Sequence, residues 1–109
     1  MTELHLKSCK ACTKKTPCLT KSQQNQLLKH LSFNWQIQNN HLIRQFQFKN
    51  FKEALDFTNK VGIIAESQAH HPDIYLSWAK VELKITTHSI QNLTENDFIL
   101  AAHIDKLDF

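Results

Sequence analysis

Three histidines lie where the sequence could position groups for proton transfer. His70 and His71 are adjacent and precede Pro72, and His88 follows a stretch of alternating polar and apolar residues. Histidine has an unperturbed pKa of about 6.5, so it can give and take protons near neutrality. Pro72 disfavours helical backbone at His71, and neighbouring side chains on extended backbone point in opposite directions. The pair is therefore poorly arranged to hold one metal ion, but it can address different parts of one substrate.

Two carboxylates accompany these histidines in the sequence. Glu66 precedes His70 by four residues, so it could orient a histidine or favour its charged form. Asp97 follows Thr94 by three residues, and we interpret it as a charge at the start of a helix rather than an acid–base group. Four further histidines are expected to lie at the surface, and these are His5, His30, His41 and His103.

Three helices are predicted from capping residues and apolar periodicity. Each begins at a residue that can cap a helix, and these are Thr20 or Ser22, Asn50 and Thr94. The first is short and ends near His30. The second has Glu53 as a capping partner, runs to about Gln68 and must stop before Pro72. Its broad apolar stripe indicates burial on more than one side, and it comprises Phe51, Leu55, Phe57, Thr58, Val61, Gly62, Ile64 and Ala65.

Four strands are predicted from alternating polar and apolar residues. Residues 33–37 and 41–48 form the first pair, joined by Asn39 and Asn40, because asparagine tolerates the positive φ of a tight hairpin. Residues 74–78 and 80–86 form the second pair. In the last strand we expect three side chains inward (Val81, Leu83 and Ile85) and four outward (Lys80, Glu82, Lys84 and Thr86).

The resulting order, α-β-β-α-β-β-α, predicts the fold class. It contains no strand–helix–strand spacing that requires a parallel sheet, so we expect an α+β fold. This fold is a four-stranded antiparallel sheet with helices packed on one face. A chain of 109 residues has room for one domain. Residues 1–18 are interpreted as a mobile tail whose removal leaves assembly and activity intact, and residues 19–109 as the domain.

Composition excludes several classes of function. The formal charge of +3 is small and dispersed, unlike the basic stripes of nucleic-acid-binding proteins. No apolar run approaches the roughly 20 residues that a transmembrane helix needs. The first residues lack the apolar centre of a signal peptide, so we expect a cytoplasmic protein with no membrane partner.

All three cysteines, Cys9, Cys12 and Cys18, occur in the first eighteen residues. An odd number in a cytoplasmic chain disfavours a disulfide framework. Cys9 and Cys12 have the spacing of half a zinc site, with Cys18 and His5 as further ligands. The alternative is a solvated, reduced tail, which the lysine- and threonine-rich composition favours.

The chain resembles the pterin-4a-carbinolamine dehydratases over residues 20–107. The residues that carry the resemblance are Glu66-x-x-x-His70-His71-Pro72, Trp78-x-x-Val81-x-x-x-Ile85-x-Thr87-His88, Phe46-Gln47-Phe48-Lys49-Asn50-Phe51 and Leu93-Thr94-x-x-Asp97-Phe98. Ala69 stands where many members of that family carry aspartate. The resemblance implies the α+β fold given above and a homodimer or homotetramer.

The resemblance also implies an activity and its residues. Its substrate is a 4a-hydroxytetrahydropterin, which loses water to give quinonoid dihydropterin and so recycles the pterin of phenylalanine hydroxylase. His70, His71 and His88 occupy the catalytic positions, and which of them is the acid and which the base is left open. The positions that contact the substrate are Glu66, Pro72, Thr87, Ser89 and Ile90. No metal and no organic cofactor are implied.

Two other functions are weighed against this one. Some animal members of the family act as dimerisation cofactors of a transcription factor, so an interaction protein of the same fold is the first alternative. A zinc-dependent hydrolase built on the same histidines is the second. The chain lacks a His-Glu-x-x-His helix, and adjacent histidines are awkward ligands for one ion.

Overall fold

An antiparallel sheet of four strands forms the frame of the molecule. The computed structural model describes residues 4–7 and 18–107. The strands are β1 (Gln36–Gln38), β2 (His41–Gln47), β3 (Asp73–Ser77) and β4 (Lys80–Ile85). They lie in the order β1-β2-β4-β3, and every pairing is antiparallel. The sheet predicted from alternation is confirmed, with β1 much shorter than expected.

Three helices pack against this sheet, and each begins at the residue that the sequence indicates. They are α1 (Lys21–Leu28), α2 (Phe51–Gln68) and α3 (Glu95–Asp105), capped by Thr20, Asn50 and Thr94. The Thr20 hydroxyl accepts from the Gln23 N–H at 3.2 Å, which satisfies a backbone donor that the first turn of α1 leaves free. The predicted order of elements is confirmed, and the first helix ends two residues before His30.

The core lies between the helices and one face of the sheet. Leu42 pairs with Ile85 across strands, Phe46 with Val81, and all four side chains are buried. Helix α2 covers them with Phe57, whose ring centroid lies 4.5 Å from that of Phe46. Burying an aromatic side chain of this size stabilises the fold by about 1.5–3 kcal/mol. The inward set predicted for β4 is therefore confirmed.

Two side chains take the opposite position to the one that alternation predicts. Phe33 is 93% exposed because the chain enters β1 only at Gln36, so residues 33–35 follow no strand period. Thr86 is buried because it lies just beyond the end of β4, where its hydroxyl donates to the Asn40 carbonyl at 2.7 Å. Hydrogen bonding to a distant turn thus overrides the outward position expected for Thr86.

The apolar stripe of α2 is only partly covered. The buried positions of the helix face the sheet and α3, and they are Ala54, Phe57, Val61 and Ala65. Phe51, Leu55 and Ile63 are 43%, 37% and 70% exposed. The helix therefore presents a second apolar surface to solvent. Within the described residues, no helix is long and apolar enough to span a bilayer.

A short 3-10 turn, Leu4–Leu6, lies in the predicted tail and packs against α3. Leu4 is 3% exposed and belongs to the core, so this residue of the predicted tail packs as part of the domain. Lys7 pairs with Glu95 at 3.2 Å, and its carbonyl accepts from Nε2 of His103 at 2.7 Å. His103 is therefore not a free surface residue.

Cys9 and Cys12 lie outside the described residues, and Cys18 is a free, exposed thiol.

A cluster of charged and polar groups fixes the carboxyl end of α3. Asp105 accepts from Nη1 of Arg44 at 2.6 Å, from Nε1 of Trp35 at 2.8 Å and from the Ser32 N–H at 2.8 Å. Arg44 projects from β2 towards the core, with its guanidinium carbon 4.2 Å from the Phe46 ring centroid. Burial lowers the pKa of Arg44, and the neighbouring Asp105 carboxylate acts in the opposite direction.

Candidate functional site

The end of α2 determines how the histidine pair leaves the helix. Ala69 adopts a left-handed conformation with φ of 52°, and its N–H donates to the Glu66 carbonyl at 3.3 Å. The His70 N–H donates to the Ala65 carbonyl at 3.2 Å. Together these bonds form a Schellman motif, which closes a helix and turns the chain sharply. His70 and His71 therefore emerge beside the last turn of α2, where Glu66 lies.

His70 is paired with a buried carboxylate. Its Nε2 lies 2.6 Å from Oδ1 of Asp97, with 11% of the His70 side chain and none of the Asp97 side chain exposed. The other Asp97 oxygen, Oδ2, accepts from the Thr87 hydroxyl at 2.8 Å and from the Thr94 N–H at 2.8 Å. These donors satisfy the carboxylate, which a buried acid requires. Asp97 thus joins α3, the end of β4 and His70.

His71 is paired with Glu66, and this pair faces solvent. Its Nε2 lies 2.5 Å from Oε2 of Glu66, with 58% of the histidine side chain and 80% of the glutamate side chain exposed. Water and salt screen charge interactions at such positions. The expectation that Glu66 orients a histidine is met, but at His71 rather than at His70.

His88 lies in the turn that follows β4. Thr87 forms an isolated bridge with Asn92, and the Gln91 N–H donates to the His88 carbonyl at 3.3 Å to close the turn. His88 and Ser89 are exposed, and Ile90 and Pro72 are partly buried. Because Thr87 reaches Asp97, the turn begins at the same junction that holds His70. Convergence of all three imidazole rings on one pocket remains a prediction.

Thr87 and Asp97 take positions that the sequence did not indicate. Thr87 is 2% exposed, and its hydroxyl faces Asp97 and Thr94 rather than a cavity. Asp97 forms the helix-start contact expected of it, yet it is fully buried and contacts His70 as well. One signal could have suggested this: α3 is apolar over most of its length, and a carboxylate inside such a helix needs a partner.

An open groove borders the exposed pair. It has a volume of about 730 Å³ and is lined by Thr58, Asn59, Gly62, Ile63, Glu66 and Ile74. Glu66 therefore contacts both the groove and His71. Among residues 4–7 and 18–107, no group of three or more histidine, cysteine, aspartate or glutamate side chains is arranged to hold a metal ion.

Comparison with known proteins identifies relatives over nearly the whole chain. The family model described as pterin 4 alpha carbinolamine dehydratase matches residues 17–107. A protein of Alkaliphilus metalliredigens named "Putative pterin-4-alpha-carbinolamine dehydratase" is 45% identical over 107 residues, which cover 97% of this chain and 96% of that protein. A protein of the same name from Rubrobacter xylanophilus is 44% identical over 98% of this chain and 100% of its own length.

Solved structures show the same fold. A protein described as a transcriptional coactivator/pterin dehydratase from Brucella melitensis superposes with a TM-score of 0.76 at 31% identity. The match covers 81% of this chain and 95% of that one. A pterin dehydratase-like protein described as a RuBisCO assembly factor in the alpha-carboxysome gives a TM-score of 0.55 at 21% identity, over 70% of this chain and 88% of its own, which establishes a likeness of fold only. The resemblance noted in the sequence is confirmed, and the chain belongs to the pterin 4 alpha carbinolamine dehydratase family.

Proposed function

We propose that this protein removes water from a 4a-hydroxytetrahydropterin to give quinonoid dihydropterin, by histidine acid–base catalysis. The observation that carries the proposal is the presence of two histidine–carboxylate pairs side by side at the end of α2. His70 is paired with Asp97, and His71 with Glu66. Membership of the family supplies the substrate class.

The reaction needs two proton transfers that histidines can perform. The C4a–O bond breaks and hydroxide is a poor leaving group, so an acid must protonate the departing oxygen to release water. A base must remove the N5 proton, and the electrons of the N5–H bond form the C4a–N5 double bond. A positioned acid or base contributes about 10²–10⁴ in rate. We assign these two tasks to His70, His71 and His88, with the substrate bordered by Glu66, Pro72, Ser89 and Ile90.

The mechanism uses no Lewis acid, so we propose no metal and no organic cofactor. Every step moves a proton between a histidine and the substrate, and an imidazole can both donate and accept a proton. Activity should therefore be unchanged after dialysis against a chelator. Loss of activity on chelation and recovery with zinc would contradict the acid–base mechanism. Zinc bound to the cysteines near the amino terminus would not contradict it.

The proposal is tested by following the decay of freshly generated 4a-hydroxytetrahydropterin with and without the protein. Acceleration at micromolar protein is expected, and it should fall when His70 is replaced by alanine. His30→Ala is the matched control, since His30 is exposed, lies beyond the end of α1 and belongs to neither pair. No acceleration by the unmodified protein would remove the dehydratase proposal and favour a binding role for this fold.

We further propose that the protein is a cytoplasmic homodimer or homotetramer that serves an aromatic amino-acid hydroxylase. The observation in favour of assembly is that three large apolar side chains of α2, Phe51, Leu55 and Ile63, are exposed to solvent. Burial of such side chains against a second subunit would remove them from water. Light scattering should show a species larger than one chain. Leu55→Glu should shift it towards the monomer, and a monomeric unmodified protein would contradict the assembly.

A further inference from the structure

We propose that Thr87 is a positioning residue. Through Asp97 it fixes the tautomer of His70 and makes Nδ1 the ring nitrogen that exchanges protons with the substrate. The inference rests on the proposed dehydration for its catalytic part. Its structural part, the tautomer, can be read in the protein without substrate. In this proposal Thr87 acts on Asp97 and does not contact the substrate, unlike the role that the family resemblance implies.

Hydrogen-bond directions in the buried junction lead to this assignment. The Thr94 N–H can only donate, and it is directed at Oδ2 of Asp97 at 2.8 Å. The Thr87 hydroxyl also donates to Oδ2, at 2.8 Å, so the Thr94 hydroxyl, 2.9 Å from it, must donate to Thr87. Two donors thus converge on one oxygen of the carboxylate, and the chain Thr94–Thr87–Asp97 runs in a single direction.

The remaining carboxylate oxygen decides the state of the imidazole. Oδ1 of Asp97 is an acceptor and lies 2.6 Å from Nε2 of His70, so Nε2 must carry a hydrogen. In the neutral ring the lone pair is then on Nδ1. Within residues 4–7 and 18–107, Nε2 is the only ring nitrogen of His70 that forms a hydrogen bond. Nδ1 is therefore the atom left to accept or return a proton.

The Thr87 hydroxyl is needed because a carboxylate can rotate. Asp97 is held by its backbone position and by the contacts of its two oxygens, and a rotation would remove Oδ1 from Nε2. The Thr87 and Thr94 donors both hold Oδ2, so they set the plane of the carboxylate. The backbone of Thr87 is itself held, since its N–H donates to Asn92 and its carbonyl accepts from the Ile90 N–H. The end of β4 thus determines the position of the His70 imidazole through the bonds from Thr87 to Asp97 and from Asp97 to His70.

Asp97→Asn gives a specific test of the tautomer. The amide oxygen must stay beside the two donors, so the amide NH₂ takes the place of Oδ1 and donates to Nε2 of His70. The hydrogen of the neutral ring then moves to Nδ1. We expect ¹⁵N NMR of histidine-labelled protein, above the pH at which the ring titrates, to show a pyrrole-type Nε2 in the unmodified protein and a pyrrole-type Nδ1 in the variant. The same exchange in a Ser-His-Asp triad yields the wrong tautomer and lowers kcat about 10⁴-fold. Here we expect a loss of about 10²-fold or more.

Thr87→Val tests the positioning role. It removes the hydroxyl at nearly constant volume, and we expect kcat to fall about tenfold with KM within about twofold, the smaller end of the effect of a hydrogen bond to a charged group. Thr87→Ser keeps the hydroxyl and should restore kcat to within about twofold of the unmodified protein. Thr86→Val is the matched control, because Thr86 is the adjacent buried threonine and its hydroxyl donates to Asn40 instead. It should leave kcat unchanged.

Each outcome has a definite meaning. A neutral His70 with its hydrogen on Nδ1 in the unmodified protein, or no inversion in Asp97→Asn, would overturn the tautomer assignment. An equal loss of kcat in Thr86→Val and Thr87→Val, or no rescue by serine, would overturn the positioning role. If the tautomer behaves as expected while the unmodified protein does not accelerate dehydration, the proposed function fails and the hydrogen-bond assignment stands.

Discussion

Helix α3 carries a carboxylate at each end, and the two ends are stabilised differently. Asp97, in the first turn, receives the Thr94 N–H and the Thr87 hydroxyl and has a histidine as its nitrogen partner. Asp105, the last residue of the helix, has an arginine as its charged partner and receives Trp35 Nε1 and the Ser32 N–H. The nitrogen partner of Asp97 is thus an imidazole, which can act as an acid or a base, and that of Asp105 is a guanidinium, which cannot.

The helix dipole explains the difference. The amino terminus of a helix favours a negative charge and offers free N–H groups, so Asp97 is stabilised by the backbone itself. The carboxyl terminus disfavours a negative charge, so Asp105 needs a permanent cation nearby. Because the amino-terminal junction does not depend on a fixed cation, the nitrogen partner of Asp97 can be a histidine. We propose that the amino-terminal end of α3 supports catalysis and that its carboxyl-terminal end is structural.

The largest effect is expected when His70, the partner of Asp97, is removed. His70→Ala should lower the rate of pterin dehydration by about 10²-fold or more, because one acid–base group is lost. His71→Ala should lower it at least about tenfold. Stopped-flow decay of the carbinolamine measures both. Activity near that of the unmodified protein in both variants would show that neither histidine is catalytic.

The structural end is tested by Asp105→Asn. This change leaves the buried guanidinium of Arg44 without its counter-charge, and we expect the free energy of unfolding to fall by about 3 kcal/mol. Urea denaturation measures the loss. Asp56→Asn is the control, since it breaks an exposed pair with Lys52 and should cost less than about 0.5 kcal/mol. If Asp105→Asn abolished the activity of the folded protein, the assignment of one role to each end would be wrong.

Glu66 is a third carboxylate, and it pairs with a histidine while exposed to solvent. Comparing it with Asp97 therefore shows how much burial of the carboxylate matters. Glu66→Gln changes the exposed partner of His71, and we expect kcat to fall only about two- to fivefold because solvent already screens this pair. The buried pair should respond far more strongly to Asp97→Asn. Steady-state kinetics of Glu66→Gln and Asp97→Asn measure the two losses of kcat. Equal losses would show that burial of the carboxylate is unimportant.

The smallest effect is expected at the residue that turns the chain towards both pairs. Ala69 has a φ of 52°, a conformation that costs a residue with a side chain about 1–2 kcal/mol. Ala69→Gly removes this strain but adds backbone entropy, so we expect a net gain of about 0.5–1 kcal/mol. Thermal or urea unfolding measures it. Ala102→Gly, inside α3, should shift stability in the opposite direction by about 1 kcal/mol.

Sequence was most informative where structure is determined locally. Thr20 and Asn50 cap their helices as predicted, because a capping side chain bonds to backbone only a few residues away, and α3 begins directly after Thr94 as predicted. Asn39 and Asn40 have φ of 49° and 63°, the positive values expected of the hairpin between β1 and β2. Polar and apolar residues alternate regularly along β4, because one face of the strand is buried against helices.

Features that depend on distant parts of the chain could not be predicted in the same way. His70 and Asp97 are 27 residues apart, so no local pattern distinguishes a helix-start charge from the partner of a histidine. Leu4 has no apolar period around it, yet docking on α3 buries it. Glu66 has the spacing to reach His70 along a helix, but the turn at Ala69 directs His71 to it instead. Only the family resemblance grouped His88 with His70 and His71 in one site.

The joining of three elements at Asp97 also has a consequence for folding. His70 follows α2, Thr87 follows β4 and Asp97 belongs to α3, and the contacts span 27 and 10 residues of the chain. Closing these segments of chain costs conformational entropy before the contacts can form, so we expect the contacts at Asp97 to form late in folding. Partial opening of α3 would leave the sheet and α2 intact while releasing the imidazole of His70. The protein would lose its catalytic geometry before it loses most of its secondary structure, through a sub-global opening rather than complete unfolding.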